Sequence, residues 1–149
     1  MNFFIASDHA GFELKQKVIA ALKDTHSIED FGTHSLDSVD YPDYADQVCR
    51  RLNPSENEAH LTECGILICG SGQGMAIRAN KFRHIRAALV YNDEITQLSR
   101  EHNNANIICI GSRTCDAQSA LRWIEIFKKT AFLQGRHQTR VAKIGAFTS

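Results

Sequence analysis

The chain has 149 residues, 43% hydrophobic and 23% charged, and its 17 basic and 17 acidic side chains give a formal net charge of zero. That length suits a single domain with a substantial core, and the neutral balance gives no reason to expect nucleic acid or an anionic membrane as partner. No apolar run approaches the ~20 residues that span a bilayer, and the N-terminus reaches Asp8 too soon, without a basic start, for a signal peptide.

Asn2 to Ser7 reads as a short buried strand, ending in the polar turn Asp8-His9-Ala10-Gly11. Phe12 to Lys23 has helical spacing, with Leu14, Val18, Ala21 and Leu22 on one stripe and Lys15, Gln16 and Lys23 elsewhere around the wheel. Ser27 to Phe31 is a weaker strand closed by Gly32, and Thr33 to Asp40 a polar loop. Tyr41-Pro42 opens a helix to about Leu52, since proline is tolerated in a first turn. Asn53 to Thr62, polar and carrying Pro54, reads as a flexible loop.

Cys64 to Asn80 is the densest stretch. The apolar run Ile66-Leu67-Ile68 ends at Cys69, glycines follow at Gly70, Gly72 and Gly74, and a helix runs to about Lys81. Arg86 to Val90 predicts a fourth strand. Asn92 caps a helix with Asp93 and Glu94 in its first turn, ending near Glu101 to Asn104. Asn106 to Ile110 is a fifth strand, closed by Gly111-Ser112-Arg113. Asp116 to Leu133 reads as one long helix stopped by Gly135, and the arm Arg136 to Ser149 has room for a short helix.

Mostly apolar strands alternating with helices predict a single α/β domain over residues 1–149, with a parallel sheet covered on both faces. In such sheets ligands bind beyond the carboxyl ends of the strands. Asp8-His9, Cys69-Gly70-Ser71 and Ser112-Arg113 stand at those ends and can converge.

Five cysteines, Cys49, Cys64, Cys69, Cys109 and Cys115, make an odd count without paired spacing. This argues against a disulfide framework and fits a reducing, cytoplasmic setting. Cys64 and Cys69 lie five apart without a matching Cys/His pair, so no metal motif is formed. The glycine turn departs from three phosphate-binding motifs. It is one residue short of G-x-G-x-x-G, it lacks the lysine of a P-loop, and the residue six past Cys69 is Met75, not the arginine of a phosphatase loop. What remains is a turn able to aim several N–H groups at one oxyanion. Cys69 itself keeps two readings, a small buried strand-end residue or a reactive thiol beside a helix N-terminus; the other four cysteines read as structural.

His26, His34, His60 and His84 fall in loops and read as surface residues, whereas His9 and His102 sit at element ends, where an oriented imidazole can shuttle protons. After Glu125 the chain carries no acid but has Lys128, Lys129, Arg136, Arg140 and Lys143. Lys128 and Lys129 read as a solvated helix face. Arg136 and Arg140, four apart with His137 between them, are either a solvated face or a grip for one phosphate.

Six segments in order, SDHAGFELK (7–15), DYPDYA (40–45), GILICGSGQGMAIRANK (65–81), SREHNNANI (99–107), GSR (111–113) and GRHQTRV (135–141), closely resemble the family of ribose-5-phosphate isomerase B and the galactose-6-phosphate isomerase subunits. The resemblance covers nearly the whole chain. It implies a five-stranded α/β/α sandwich that interconverts ribose 5-phosphate and ribulose 5-phosphate, with neither metal nor organic cofactor. It also implies a homodimer or dimer of dimers with shared active sites and the C-terminal arm 136–149 at the dimer interface. By the same resemblance Cys69 is the base that moves a proton through an enediolate, and His102 opens the furanose ring. Ser71 and the backbone of Gly70, Gly72, Gln73 and Gly74 hold the enediolate. Asp8, His9, Tyr41 and Asn103 hold sugar hydroxyls or the phosphate end, and Arg113, Arg136 and Arg140 hold phosphate. Relatives with a glutamate base differ from this chain, which has Gly74-Met75 there, and Arg78 replaces a small residue and is read as a surface side chain. The alternatives are an isomerase of a six-carbon sugar phosphate (allose or galactose 6-phosphate) and a non-catalytic sugar-phosphate-binding module.

Overall fold

The computed structural model describes residues 1–53 and 59–145. Its elements follow in strict alternation: β1 Asn2–Ser7, α1 Phe12–Leu22, β2 Ser27–Asp30, α2 Tyr41–Arg51, β3 Glu63–Cys69, α3 Gln73–Ala79, β4 Ala87–Val90, α4 Asp93–Asn103, β5 Ile107–Gly111, α5 Ala117–Lys129 and α6 Arg136–Ile144. The five strands form one parallel sheet in the order β2-β1-β3-β5-β4.

The central strands β1, β3 and β5 are apolar on both faces, and successive side chains point to opposite sides, so one sheet serves two cores. Phe3, Ile5, Ile66, Ile68, Ile108 and Ile110 meet Leu14 and Val18 of α1 and Trp123 and Phe127 of α5. Phe4, Ala6, Leu67, Cys69, Ile107 and Cys109 meet Val48 and Cys49 of α2 and Met75 and Ala79 of α3. Each fully buried large side chain contributes about 1.5–3 kcal/mol relative to exposure. The remaining helices follow: α4 packs on α5 and β4, and α6 on α4. The caps act as their sequences imply, with Asn92 Oδ1 accepting the Ile95 N–H at 2.7 Å and Asp116 Oδ1 the Ser119 N–H at 2.7 Å.

Several expectations are corrected. The long helix ends at Lys129, not Leu133, because Thr130 turns extended and the next residues dock elsewhere. The Phe132 N–H bonds the carbonyl of Ala59 (2.8 Å) and that of Leu133 the carbonyl of Glu101 (3.1 Å). Gly135 therefore does not stop α5; it precedes α6 as its N-cap. Lys15, off the apolar stripe of the wheel, is nonetheless fully buried and ion-paired with Asp30 at the end of β2. His26 and His84 are half-buried and partnered, not free surface side chains. His26 packs edge-on against Phe3, and a ring nitrogen of His84 lies 2.8 Å from the carbonyl of Cys49. Lys128 and Lys129 both pair with Glu125. The flexible-loop expectation for Asn53 to Thr62 falls largely on residues 54–58, outside the described residues, as does the end of the arm from 146 on.

At the open edge of the sheet, Asn80 does the work of a neighbouring strand. Its amide accepts the Ala87 N–H and donates to the Ala87 carbonyl, both at 2.9 Å.

Candidate active site

The connections after β1 and β5 lead to α1 and α5 on one face, while that after β3 leads to α3 on the other. The chain thus parts around the carboxyl end of β3, the kind of switch point at which open α/β sheets bind ligands. Cys69 stands there, 4% exposed. The turn behind it needs glycine: Gly72 has φ +76°, and a Cβ would lie 2.6 Å from Leu89 Cδ1 and 2.9 Å from the backbone carbon of Ile110. This conformation turns the Gly72 N–H onto Cys69 Sγ at 3.1 Å. The sulfur is the acceptor in this contact. Ser71 is exposed, and its Oγ accepts the Gln73 N–H at 3.4 Å. The N–H groups of the first turn of α3 have no partner within the helix.

Four other expected residues gather at this edge. Asp8 follows β1, and its Oδ1 accepts the Gly11 N–H at 2.9 Å. The turn is pressed onto β3, since a Cβ at Gly11 would lie 2.6 Å from the Ile68 carbonyl oxygen. His9 accepts the Val39 N–H on Nδ1 at 3.3 Å, so its ring is held by the loop before α2. Tyr41, the first residue of α2, lays its ring over the glycine turn, where a Cβ at Gly74 would come within 2.6 Å of Cζ. Arg113, after β5, brings its guanidinium within 3.1 Å of a Cβ built on Gly70. Ser112 fixes that loop by donating to the Ala10 carbonyl at 2.8 Å. A thiol, a glycine turn, a carboxylate, an imidazole, a phenol and a guanidinium therefore share one rim.

His102, Asn103, Arg136 and Arg140 are not there. Helix α4 starts at the carboxyl edge after β4, and its 11 residues carry the chain back about 16 Å to the amino edge, where β5 begins. His102 and Asn103 end that helix, and α6 packs beside it. There the rings of His102 and His137 stack, 4.3 Å between centroids and 6° from parallel. His137 is buried, and that burial, with His102, Arg136 and Arg140 near, holds it below the ordinary 6.5. A cleft of about 640 Å³ also opens at this amino edge, lined by Lys81, Arg86, Ser99, Asn103 and Ile144, and not over Cys69.

Beneath the second cluster lies Arg100, which sequence reasoning missed. It is fully buried and donates to the carbonyls of Thr130, Ala105 and Ala59 and to Asn104 Oδ1. Burial lowers it to about 10. Arg78, expected at the surface, is 39% exposed there, and it binds Asp46 of α2 and lies over the Phe82 ring. The structural assignment of Cys49 and Cys64 holds: both are fully buried, and desolvation pushes both thiols up to about 12. Cys109 is likewise raised by burial.

A family model for ribose/galactose isomerase matches residues 3–144. The chain belongs to the ribose/galactose isomerase family. A putative sugar phosphate isomerase of Rickettsia bellii is 43% identical over 144 residues, 96% of each chain. The ribose 5-phosphate isomerase B structure from Anaplasma phagocytophilum superposes with a TM-score of 0.88 at 45% identity, covering 96% of this chain and 95% of that one. The isomerase B of Mycoplasma genitalium, solved with bound ribulose-5-phosphate, has a TM-score of 0.88 at 38% identity, over 96% of this chain and 93% of that one. The five-stranded parallel α/β fold is thus the fold of ribose/galactose isomerases. Among the described residues, no helix is long and apolar enough to cross a membrane.

Proposed function

We propose that the chain is an aldose–ketose isomerase interconverting D-ribose 5-phosphate and D-ribulose 5-phosphate, and that it works as a dimer. The observation that carries the reaction is its whole-chain likeness to an isomerase B structure holding ribulose-5-phosphate. The split of expected residues between two sheet edges carries the dimer. Each copy offers one incomplete set at the carboxyl edge and a complementary set at the amino edge, so a second copy completes both. Free cysteines throughout fit a cytoplasmic setting.

In the forward direction His102 of a second copy hands a proton to the ring oxygen as the anomeric hydroxyl passes its own to water, leaving the open aldehyde. Cys69 Sγ then takes the proton from C2. Charge moves onto the former aldehyde oxygen, and the N–H groups of the Gly70 to Gly74 turn, with Ser71, meet that oxyanion. The proton returns from sulfur to C1, the hydroxyl proton on O2 passes to O1, and the ketose results. Asp8, His9 and Tyr41 of one copy and Asn103 of the other hold sugar hydroxyls or the phosphate end. Arg113 of one copy and Arg136 and Arg140 of the other hold the phosphate, whose binding energy orients carbons remote from it.

A coupled assay comparing ribose 5-phosphate with allose 6-phosphate and galactose 6-phosphate tests this reading. Faster turnover of ribose 5-phosphate is expected. A hexose phosphate preference overturns the substrate, and binding without turnover of any of the three overturns the enzyme.

A further inference from the structure

The stacked histidines at the amino edge hold a residue to which the reaction just described gives no task. We propose that His137 is a positioning residue for ring opening: its imidazole, lying flat against that of His102, fixes the plane in which His102 meets the sugar ring. The proposal rests on the assignment of His102 to ring opening.

Three features of the structure support it. The first is geometric: a centroid distance of 4.3 Å and an interplanar angle of 6° leave one face of the His102 ring covered, so its torsions are set by a neighbour instead of by water. Only half-buried at the end of a helix, His102 would otherwise turn among rotamers.

The second is the seating of α6. The strap before it is held by backbone bonds from Phe132 to Ala59 and from Leu133 to Glu101, and by Arg100 Nε on the Thr130 carbonyl at 3.2 Å. The helix therefore has anchors of its own, and the His137 ring is available for another task.

The third is charge. His137 faces His102 from α4 and Arg136 and Arg140 from its own helix, and residues 130–133 bring no charged side chain. Burial first, and then His102, Arg136 and Arg140, discourage a proton on His137. A neutral aromatic ring thus lies against the imidazole that gains and loses charge during ring opening, an arrangement that tolerates the cationic state.

Two reactions of the full-length protein separate this role from simple scaffolding. Isomerisation of ribose 5-phosphate requires an opened furanose. Wash-in of solvent deuterium at C1 of ribulose 5-phosphate does not, because that ketose has its 5-hydroxyl phosphorylated and cannot close a furanose. For His137→Ala, isomerisation is expected to fall about 100-fold, the scale of an ångström-level misplacement, while deuterium wash-in stays close to wild type. His137→Phe, which keeps a flat ring without the nitrogens, is expected to recover most of the loss. Equal losses in both reactions, unchanged isomerisation in His137→Ala, or a His137→Phe as poor as His137→Ala would each overturn the proposal. Wild-type protein with neither reaction would instead overturn the isomerase reading itself.

Discussion

Arg78 on α3 grips Asp46 on α2 with two hydrogen bonds, Nε to Oδ1 at 2.5 Å and Nη2 to Oδ2 at 2.6 Å. Asp46 is nearly buried, and Arg50 adds a third contact at 3.2 Å. The guanidinium also lies over Phe82. Helices α2 and α3 carry Tyr41 and the glycine turn at their N-termini, so this clamp sets the spacing of two walls of the site. Arg78→Ala is expected to lower the melting temperature by several degrees and to weaken substrate binding more than turnover. Thermal melts and steady-state kinetics check both, and an unchanged melt contradicts the clamp.

Cys69→Ala should reduce ribose 5-phosphate turnover by about 10²–10⁴-fold, the range of a positioned general base, with the circular dichroism spectrum unchanged. Cys109→Ala, a buried change on the same sheet face, should lower stability while turnover per folded molecule survives. Equal activity in the two variants contradicts the assignment of the base.

Thiol labelling reads the same distinction without mutation. Cys49 and Cys64 are pushed up to about 12 and Cys109 is raised as well, and the thiolate is the reactive form. Cys115 is raised by burial too, but it is only half-buried, so native protein at pH 8 should take up iodoacetamide at Cys69 and more slowly at Cys115. Sugar phosphate should protect Cys69 and leave Cys115 reactive. Mass mapping of the labelled peptides decides it.

If each site uses Cys69 of one copy and His102 of another, two dead variants should rescue each other. Cys69→Ala and His102→Ala, unfolded together and refolded as an equal mixture, should regain about a quarter of wild-type activity, because half the dimers are mixed and each has one intact site. A mixture no better than its components removes the shared site.

Stability should fall in two steps on acidification. Burial and then Lys128 hold His26 below its ordinary 6.5, and burial and then His102 hold His137 there too. The unfolded chain takes up protons at 6.5 that the folded chain refuses, so stability present above that pH declines below it. Asp46, bonded to Arg78, and Glu125, bonded to Lys128, are held below 3.8 and 4.5. Their contribution persists above those values and is lost as pH falls through the lower folded ones. Melting temperatures from pH 8 to 3 should show both steps, with His26→Gln shrinking only the upper one.

The frame of this protein was legible because its cues are local. Ile66 to Ile68 run apolar into glycine, and Asn92 and Asp116 cap where their neighbours allow. Asp8, His9, Cys69 and Arg113 at the carboxyl edge were legible too, since each ends or closely follows a strand. Tertiary pairing hid the rest. Lys15 looks solvated on a helical wheel because its partner, Asp30, lies 15 residues on. Phe132 and Leu133 extend the apolar period of α5, yet their backbone serves Ala59 and Glu101 instead. The stacking partner of His102 lies 35 positions downstream on another helix, and the bond from Gly72 to Cys69 depends on a left-handed turn whose identity no spacing reveals.

Asn80 bears on how the molecule fares in a crowded solution. In a parallel sheet the outermost strand turns every second residue's N–H and carbonyl outward, and such a row recruits other chains. On β4 the first outward pair, at Ala87, is already engaged by the Asn80 amide. One side chain thus imitates one rung of a sixth strand and shortens the sticky margin to little more than Leu89. The same amide that finishes the fold also discourages edge-to-edge pairing of sheets between molecules.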